Sequence, residues 1–417
     1  MHTNAMRFIK NPPDHCTQGG LSLFGAIDTM VCHTCLEPNE GIQRFAARNA
    51  REGLCDFCQR ESMVAALDEV IIYIAERLSS EYDDAANHLP YDGREGGYQG
   101  VTYETYDILE NVGLELEDES LFQAIHDGLD DRVWCDADPA VGSYDEQLQG
   151  SWWWFCRLVK KERRFFFQTR RDDISVPWGF EGASAEEFLQ TIADTAVNAG
   201  MVREIPQGTS FFRVRVHTKG APPSTPLDFG PPPSELATMS NRMSPPGITC
   251  LYVSLEPETA MAETAKGAGE YYVGTLETTR PMRVLDLSSS FLVPSIFDDR
   301  VTHETRQRLR FLRSFVWQVS APIERDERNH IEYVPTQIVT EYFRTSLCFD
   351  DVPLDGLVFR SARRRGGINL ALFVGPEAMI PSDEDRRRAD ADNVWFFDRQ
   401  HRDAWIRLVD RKYEPRR

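Results

Sequence analysis

Two Cys-x-x-Cys pairs, Cys32-His-Thr-Cys35 and Cys55-Asp-Phe-Cys58, restrict the N-terminal part of this chain more than any other feature. Nineteen residues separate the pairs. Two such knuckles can bring four thiolates to the corners of a tetrahedron around one Zn²⁺. A redox function needs only one pair, and four thiolates leave no open position for catalysis at the metal. The spacing therefore predicts a structural zinc ribbon over 31–60, with Cys32, Cys35, Cys55 and Cys58 as ligands and His33 a bystander. The other cysteines, Cys16, Cys135, Cys156, Cys250 and Cys348, bring the total to nine. An odd count suits buried thiols in a reducing compartment rather than a disulfide framework.

Residues 1–30 contain Asn-Pro-Pro and Gly-Gly with little apolar periodicity and read as a flexible lead-in. They lack the apolar centre of a secretory signal, and no run approaches the ~18 apolar residues of a membrane span. Cytoplasmic location is the default expectation. With 417 residues the chain has room for two or three domains. Its 46 basic and 66 acidic residues give a net charge of −20. That total argues against broad RNA or DNA binding, which works through a basic face.

Apolar periodicity predicts a helix over 61–80, with Met63, Leu67, Val70, Ile71, Ile74 and Leu78 on one face. A Gly-rich turn follows near Gly96-Gly97, then one or two acidic helices over 103–133. Ser151-Trp-Trp-Trp-Phe155 precedes a basic run, and reads as core aromatics on a helix whose cations pair with the acidic segment. Residues 168–183 read as a linker. Ser184 and Glu187 form a capping box for a helix that stops at Gly200.

Strands are expected at 210–216, 250–255, 271–276, 283–287, 356–360 and 368–374, with helices near 257–266 and 335–347. Without regular βαβ alternation this is an α+β pattern. The Pro- and Ser-rich segment 218–249 is long enough to suggest an active-site loop. The tail, 381–417, is read as a docking helix built on Val394–Val409 with Trp395, Phe396, Trp405 and Leu408.

Candidate chemistry gathers in the second half. Asn241-Arg242-Met-Ser-Pro-Pro-Gly247 leads into an apolar strand carrying Tyr252, and Pro257 opens a helix that holds Glu263 among small residues. A carboxylate in that setting is desolvated or lines a pocket. Arg213 and Arg215 fall on one face of their strand, where two guanidiniums suit a pyrophosphate. Ser361 follows the 356–360 strand, without the Gly-x-Ser-x-Gly elbow of a nucleophile.

Between 204 and 375 these pieces resemble, in order and spacing, the RES domain of bacterial toxin–antitoxin pairs. The matching residues are Phe211-Phe-Arg-Val-Arg215, Asn241–Tyr252, Thr259-Ala-Met-Ala-Glu263, Asp355–Ser361 and Gly367–Phe373. The resemblance implies a mixed α/β domain over 184–380 with an ADP-ribosyltransferase-like core that destroys NAD⁺. It implies Arg213 on the NAD⁺ phosphates, Tyr252 beside nicotinamide, Glu263 at the nicotinamide ribose and Ser361 as a pocket residue, with Arg215, Arg242 and Asn241 as further substrate contacts. Whether Arg213 or Arg215 leads is left open. An antitoxin protein is the implied partner.

Residues 61–167 resemble the HEPN-type helical domain that precedes some RES domains, on the ribbon, the Glu95-Gly-Gly97 turn and the Trp/Arg block. Arg77 and His88 are too far apart for the HEPN ribonuclease pair, and Arg325 and His330 lie in the other domain. The expectation is an NAD⁺ glycohydrolase or phosphorylase toxin. Protein ADP-ribosylation and a non-catalytic nucleotide- or partner-binding protein are the alternatives.

Overall fold

The computed structural model describes residues 29–129, 132–165, 184–321, 328–349, 352–391 and 400–416. The lead-in up to residue 28, the 168–183 linker, and Cys16, Arg325, Trp395 and Phe396 lie outside them. The chain divides into two compact units, Met1–Pro139 with Ser295–Arg300 and Ala140–Pro294 with Val301–Arg417.

In the first unit three short strands form an antiparallel sheet in the order Met30–Cys32, Glu61–Ala66, Arg51–Leu54. The helix expected over 61–80 starts later, at Leu67, and runs to Leu78. Glu61–Ala66 is the middle strand, and Met63, expected on the helical face, is 46% exposed on it. Five apolar positions with helical spacing hid a strand because the spacing is satisfied by Leu67–Leu78 alone. Leu67, Val70, Ile71, Ile74 and Leu78 are buried. They pack with Ile42 and Ala46 of the helix Glu40–Arg48, and with Leu109, Leu121 and Ile125 of the helices Thr105–Asn111 and Glu119–Gly128.

Ser295–Arg300 completes this core, far from it in sequence. Phe297 is fully buried, and its carbonyl accepts a hydrogen bond from Tyr73 Oη at 2.6 Å. Arg77 Nε donates to Ile296 O at 2.8 Å, so Arg77 anchors the fold. Hydrogen bonds from Arg300, with Arg44 close by, bring the Asp298 carboxyl down to about 2. A Cβ on Gly41 would stand 2.0 Å from Phe297 O, so only glycine admits the segment.

The second unit is built on an eight-stranded mixed sheet. Its order is Ile406–Arg416, Gly269–Thr278, Ser210–His217, Leu251–Ser254, Ile368–Leu372, Gly356–Arg360, Met282–Asp286, Val202–Ile205. Among the described strands only Met282–Asp286 and Gly356–Arg360 pair in parallel. The inner strands are apolar on both sides because both faces are covered. Leu357, Phe359, Ala371 and Leu285 face one core, with Phe188, Phe311 and Phe315 of the helices Ala185–Asn198 and His303–Ser320. Val358, Leu370, Leu372 and Val284 face another, with Phe211, Phe229 and Ile406.

Trp152 and Phe155 are core residues, as expected, whereas Trp153 of the same block is 62% exposed. Trp152 meets Phe315 edge-on at 5.0 Å, in the helix Tyr144–Arg157. The cations that follow are expected to pair with the acidic segment, but Lys160 pairs with Glu332 at 2.7 Å and Arg157 with Glu162 at 3.3 Å, both in this unit and outside that segment.

The tail departs from its reading as a docking helix. A helix stands earlier, at Asp383–Ala391, and Ile406–Arg416 is a strand paired along the whole of Gly269–Thr278. Ile406 is buried and Arg407 is not, the period-two alternation of a half-covered edge strand. Four residues of that strand, read together with the segment before it, imitated a helical period.

Gly41→Ala should lower the stability of the first unit by about 1–3 kcal/mol, read from chemical denaturation of the full chain. An unchanged midpoint would mean that 295–300 does not close this core.

Candidate functional site

The sheet of the second unit opens where its third and fourth strands meet. Ser210–His217 and Leu251–Ser254 pair at one position, Ser254 opposite Phe212. Beyond it they diverge, so residues of both parities, Phe212 to Arg215 on one strand and Tyr252 to Ser254 on the other, line a single cavity. The helix Pro257–Thr264 adds Glu263, the 218–249 loop adds Met239 to Arg242, and the turn after Arg360 adds Arg363. The cavity holds about 950 Å³, within the range of small-ligand sites.

Glu263 is the acid of this cavity. Ser361 Oγ donates to Glu263 Oε1 at 2.7 Å, and Asn369 Nδ2 donates to the same oxygen at 2.8 Å. Oε2 has no protein partner among the described residues. Ser361 Oγ also accepts from the backbone N–H groups of Arg363 at 3.1 Å and Arg364 at 3.0 Å. With its proton directed at Glu263 and its lone pairs on two N–H groups, Ser361 is fully engaged in holding the carboxylate. Gly367 lets the turn close beside it, since a Cβ there would meet Thr259 Oγ1 at 2.6 Å.

The two strand arginines part company. Arg215 Nε donates to Asp228 O at 2.8 Å and its Nη2 to Gly230 O, which ties down the 226–230 segment. Arg213 Nη1 is buried with no hydrogen-bond partner among the described residues. Burial, with the like charge of Arg215 next in effect, holds the Arg213 guanidinium well below its ordinary value. A buried cation left unpaired calls for an anion.

Tyr252 Oη shares a hydrogen bond with Ser244 Oγ at 3.0 Å, and burial pushes its phenol far up, keeping it neutral. Arg242 lines the cavity but is largely a clasp: Nη1 donates to Val319 O, and its own carbonyl accepts from Thr336 Oγ1 at 2.7 Å. Asn241 also lines the cavity, and its carbonyl accepts from Gln337 Nε2 at 2.7 Å.

Six of the seven expected residues thus line one cavity, and Ser361 reaches it through its hydrogen bond to Glu263. Sequence reading missed Asn369 and Gln337. Asn369 had a signal: it is the only polar residue in the apolar strand Ile-Asn-Leu-Ala-Leu, and a buried amide must be paired. Gln337 had none, because a helical glutamine is ordinary until its burial at 6% exposure is known.

In the first unit the cysteine sulfurs of both knuckles converge within 4.8 Å. Cys32 Sγ lies 3.6 Å from Cys35 Sγ and 3.7 Å from Cys58 Sγ, and Cys35 Sγ lies 3.8 Å from Cys55 Sγ. A tetrahedral site with metal–sulfur bonds of about 2.3 Å has sulfur–sulfur edges of about 3.8 Å, so the donors fit. Burial raises the Cys55 thiol, but backbone N–H groups of Cys58, Cys32 and Phe57 outweigh it and bring it down to about 7. His33 contributes no ligand to the group. His88 Nε2 pairs with Asp83 at 2.8 Å, while Arg77 Nε is engaged with Ile296 O.

Two family models match the chain. The model described as HEPN/RES N-terminal domain 1 matches residues 48–173, and that of the RES domain matches residues 210–396. Neither the curated proteins nor the solved structures give a significant match. The chain therefore carries a RES-domain module with a mixed sheet, behind a HEPN/RES N-terminal region with a four-cysteine metal-binding cluster. A RES-domain module supports a nucleotide-related enzymatic role in general. No helix among the described residues is long and apolar enough to cross a membrane.

Metal analysis of the full chain should find one zinc per molecule. Cys32→Ser with Cys55→Ser should abolish it and lower the melting temperature of the first unit; a metal-free protein that melts unchanged would exclude a structural metal.

Proposed function

We propose that the second-unit cavity binds NAD⁺ and cleaves its nicotinamide–ribose bond. The observation that carries this reading is the pairing, in one cavity, of a carboxylate held at one oxygen with a buried guanidinium that lacks an anion. The reading assigns Arg213 to the pyrophosphate, where a dianion answers its unpartnered donor. Tyr252, neutral and fixed by Ser244, stacks on the nicotinamide or ribose face.

Cleavage then needs little proton chemistry. The C–N bond breaks with its electron pair leaving on nicotinamide, which departs neutral, and positive charge develops on the ribose as an oxocarbenium-like cation. Glu263, through Oε2, accepts from ribose hydroxyls and lowers the energy of that cation electrostatically. Water adds to give ADP-ribose and a proton, or inorganic phosphate adds to give the 1-phosphate. Arg215 and Arg242 hold the loop that lines the site. The toxin role, a blocking antitoxin and a cytoplasmic location belong to the same reading. A protein side chain as acceptor is the second reading, since the same site serves it.

Purified protein incubated with NAD⁺ should release nicotinamide. Glu263→Ala should lower kcat about 100- to 1000-fold, and Arg213→Ala should act mainly through KM. Phosphate dependence would identify the acceptor. No nicotinamide from the full chain, with or without an added protein acceptor, would sink the reading.

A further inference from the structure

Glu263 is held by more than its expected serine. Ser254 and Asn369 are cross-strand partners, and both are buried, at 3% and 6% exposure. Ser254 Oγ donates to Asn369 Oδ1 at 2.7 Å, which fixes the amide so that Nδ2 faces Glu263. The donors on Oε1 come from two places, Asn369 in Ile368–Leu372 and Ser361 beyond Gly356–Arg360.

We propose that Ser254 and Asn369 form a positioning pair that fixes the rotation of the Glu263 carboxylate and so decides which oxygen meets the ligand. The proposal rests on the reading of Glu263 given above. Three considerations carry it. First, the strand does not need an amide here. Ile368, Leu370 and Leu372 are apolar, and an apolar residue at 369 would not leave a polar group to satisfy in a buried place. Second, the chain of donors has one direction. Were the amide reversed, its oxygen would face the carboxylate and its NH₂ the serine; the Ser254 hydroxyl, donating to Oδ1, stabilises the productive orientation. Third, the chemistry favours an amide over the alternatives. A lysine or arginine at 369 would neutralise Glu263 and weaken its field on a developing cation. An aspartate would repel it. An amide donates one hydrogen bond and leaves the full negative charge in place.

Pinning one oxygen from the strand Ile368–Leu372 and from the turn after Gly356–Arg360 removes the free rotation of a glutamate side chain. Orientation of this kind is worth as much as two orders of magnitude in rate when it is lost. Asn369 also lines the cavity, so the clamp lies beside the ligand and not behind the core.

The test uses the full chain in two arms. In the first, asparagine-selective ¹⁵N labelling should reveal a side-chain amide with slow proton exchange that is lost in Glu263→Ala and in Ser254→Ala. In the second, Asn369→Ala should lower kcat for nicotinamide release about 10- to 100-fold with KM within about twofold. Ser254→Ala should shift kcat the same way by less, and Ser254→Thr, which keeps the hydroxyl, should restore it. Melting curves of each variant separate a folding defect from a positioning one. Absence of the protected amide overturns the pair, whatever the activity. Equal kcat in the parent, Asn369→Ala and Ser254→Ala overturns it as well. A protected amide in a parent that releases no nicotinamide supports the pair and removes the NAD⁺ reading instead.

Discussion

Ser254 is the residue on which the second unit's site turns, because it does two things at one point. Its backbone makes the single pairing between the strands that then diverge, and its hydroxyl starts the hydrogen-bond chain that ends on Glu263. A sheet that stayed paired past this point would have no cavity between Arg213 and Tyr252. A sheet that never paired here would have no fixed distance across it. Divergence from one fixed point gives a cavity whose two walls remain parts of one rigid sheet.

The charges in that cavity follow from what each group can find nearby. Five arginines line it, Arg213, Arg215, Arg242, Arg360 and Arg363, and of the first three the protein answers two. Arg215 meets carbonyls of 226–230, and Arg242 meets the carbonyl at the end of His303–Ser320. Carbonyls satisfy a guanidinium's donors without cancelling its charge. Arg213 alone keeps a buried donor unanswered. In a chain of net charge −20 an acidic partner would have been easy to supply. Its absence at this position is the physical basis for assigning Arg213 to an external anion.

The first unit shows a different dependence. Its small sheet presents four sulfurs at tetrahedral spacing, and its helices close around Phe297, which arrives from a distant part of the sequence. Local knuckles set the metal site, whereas a long-range insertion completes the core. Sequence periodicity could see the first, since Cys-x-x-Cys acts over four residues. It could not see the second, because nothing in Ser-Ile-Phe-Asp-Asp-Arg marks the partner that Gly41 leaves room for.

Most of the second unit's elements were legible for a similar reason. Gly-Leu-Val-Phe-Arg and Ile-Asn-Leu-Ala-Leu are short apolar runs bounded by turns, and Ser184 with Glu187 announces a helix start. The misread places were those with two competing periods: Glu61–Ala66 running into a helix, and Ile406 onward behind a Trp-containing segment. The residues of the site, Arg213, Tyr252, Glu263 and Ser361, could be singled out one by one from their chemical type and from the order of the motifs around them. That Arg213 and not Arg215 lacks a partner among the described residues, that Ser361 donates to Glu263, and that Asn369 donates to the same oxygen were decided only by the tertiary structure. Residue type states what a side chain can donate or accept. Which of those capacities is already satisfied depends on neighbours brought from about a hundred residues away, Ser361 and Asn369 to Glu263 above all, and no local pattern encodes that.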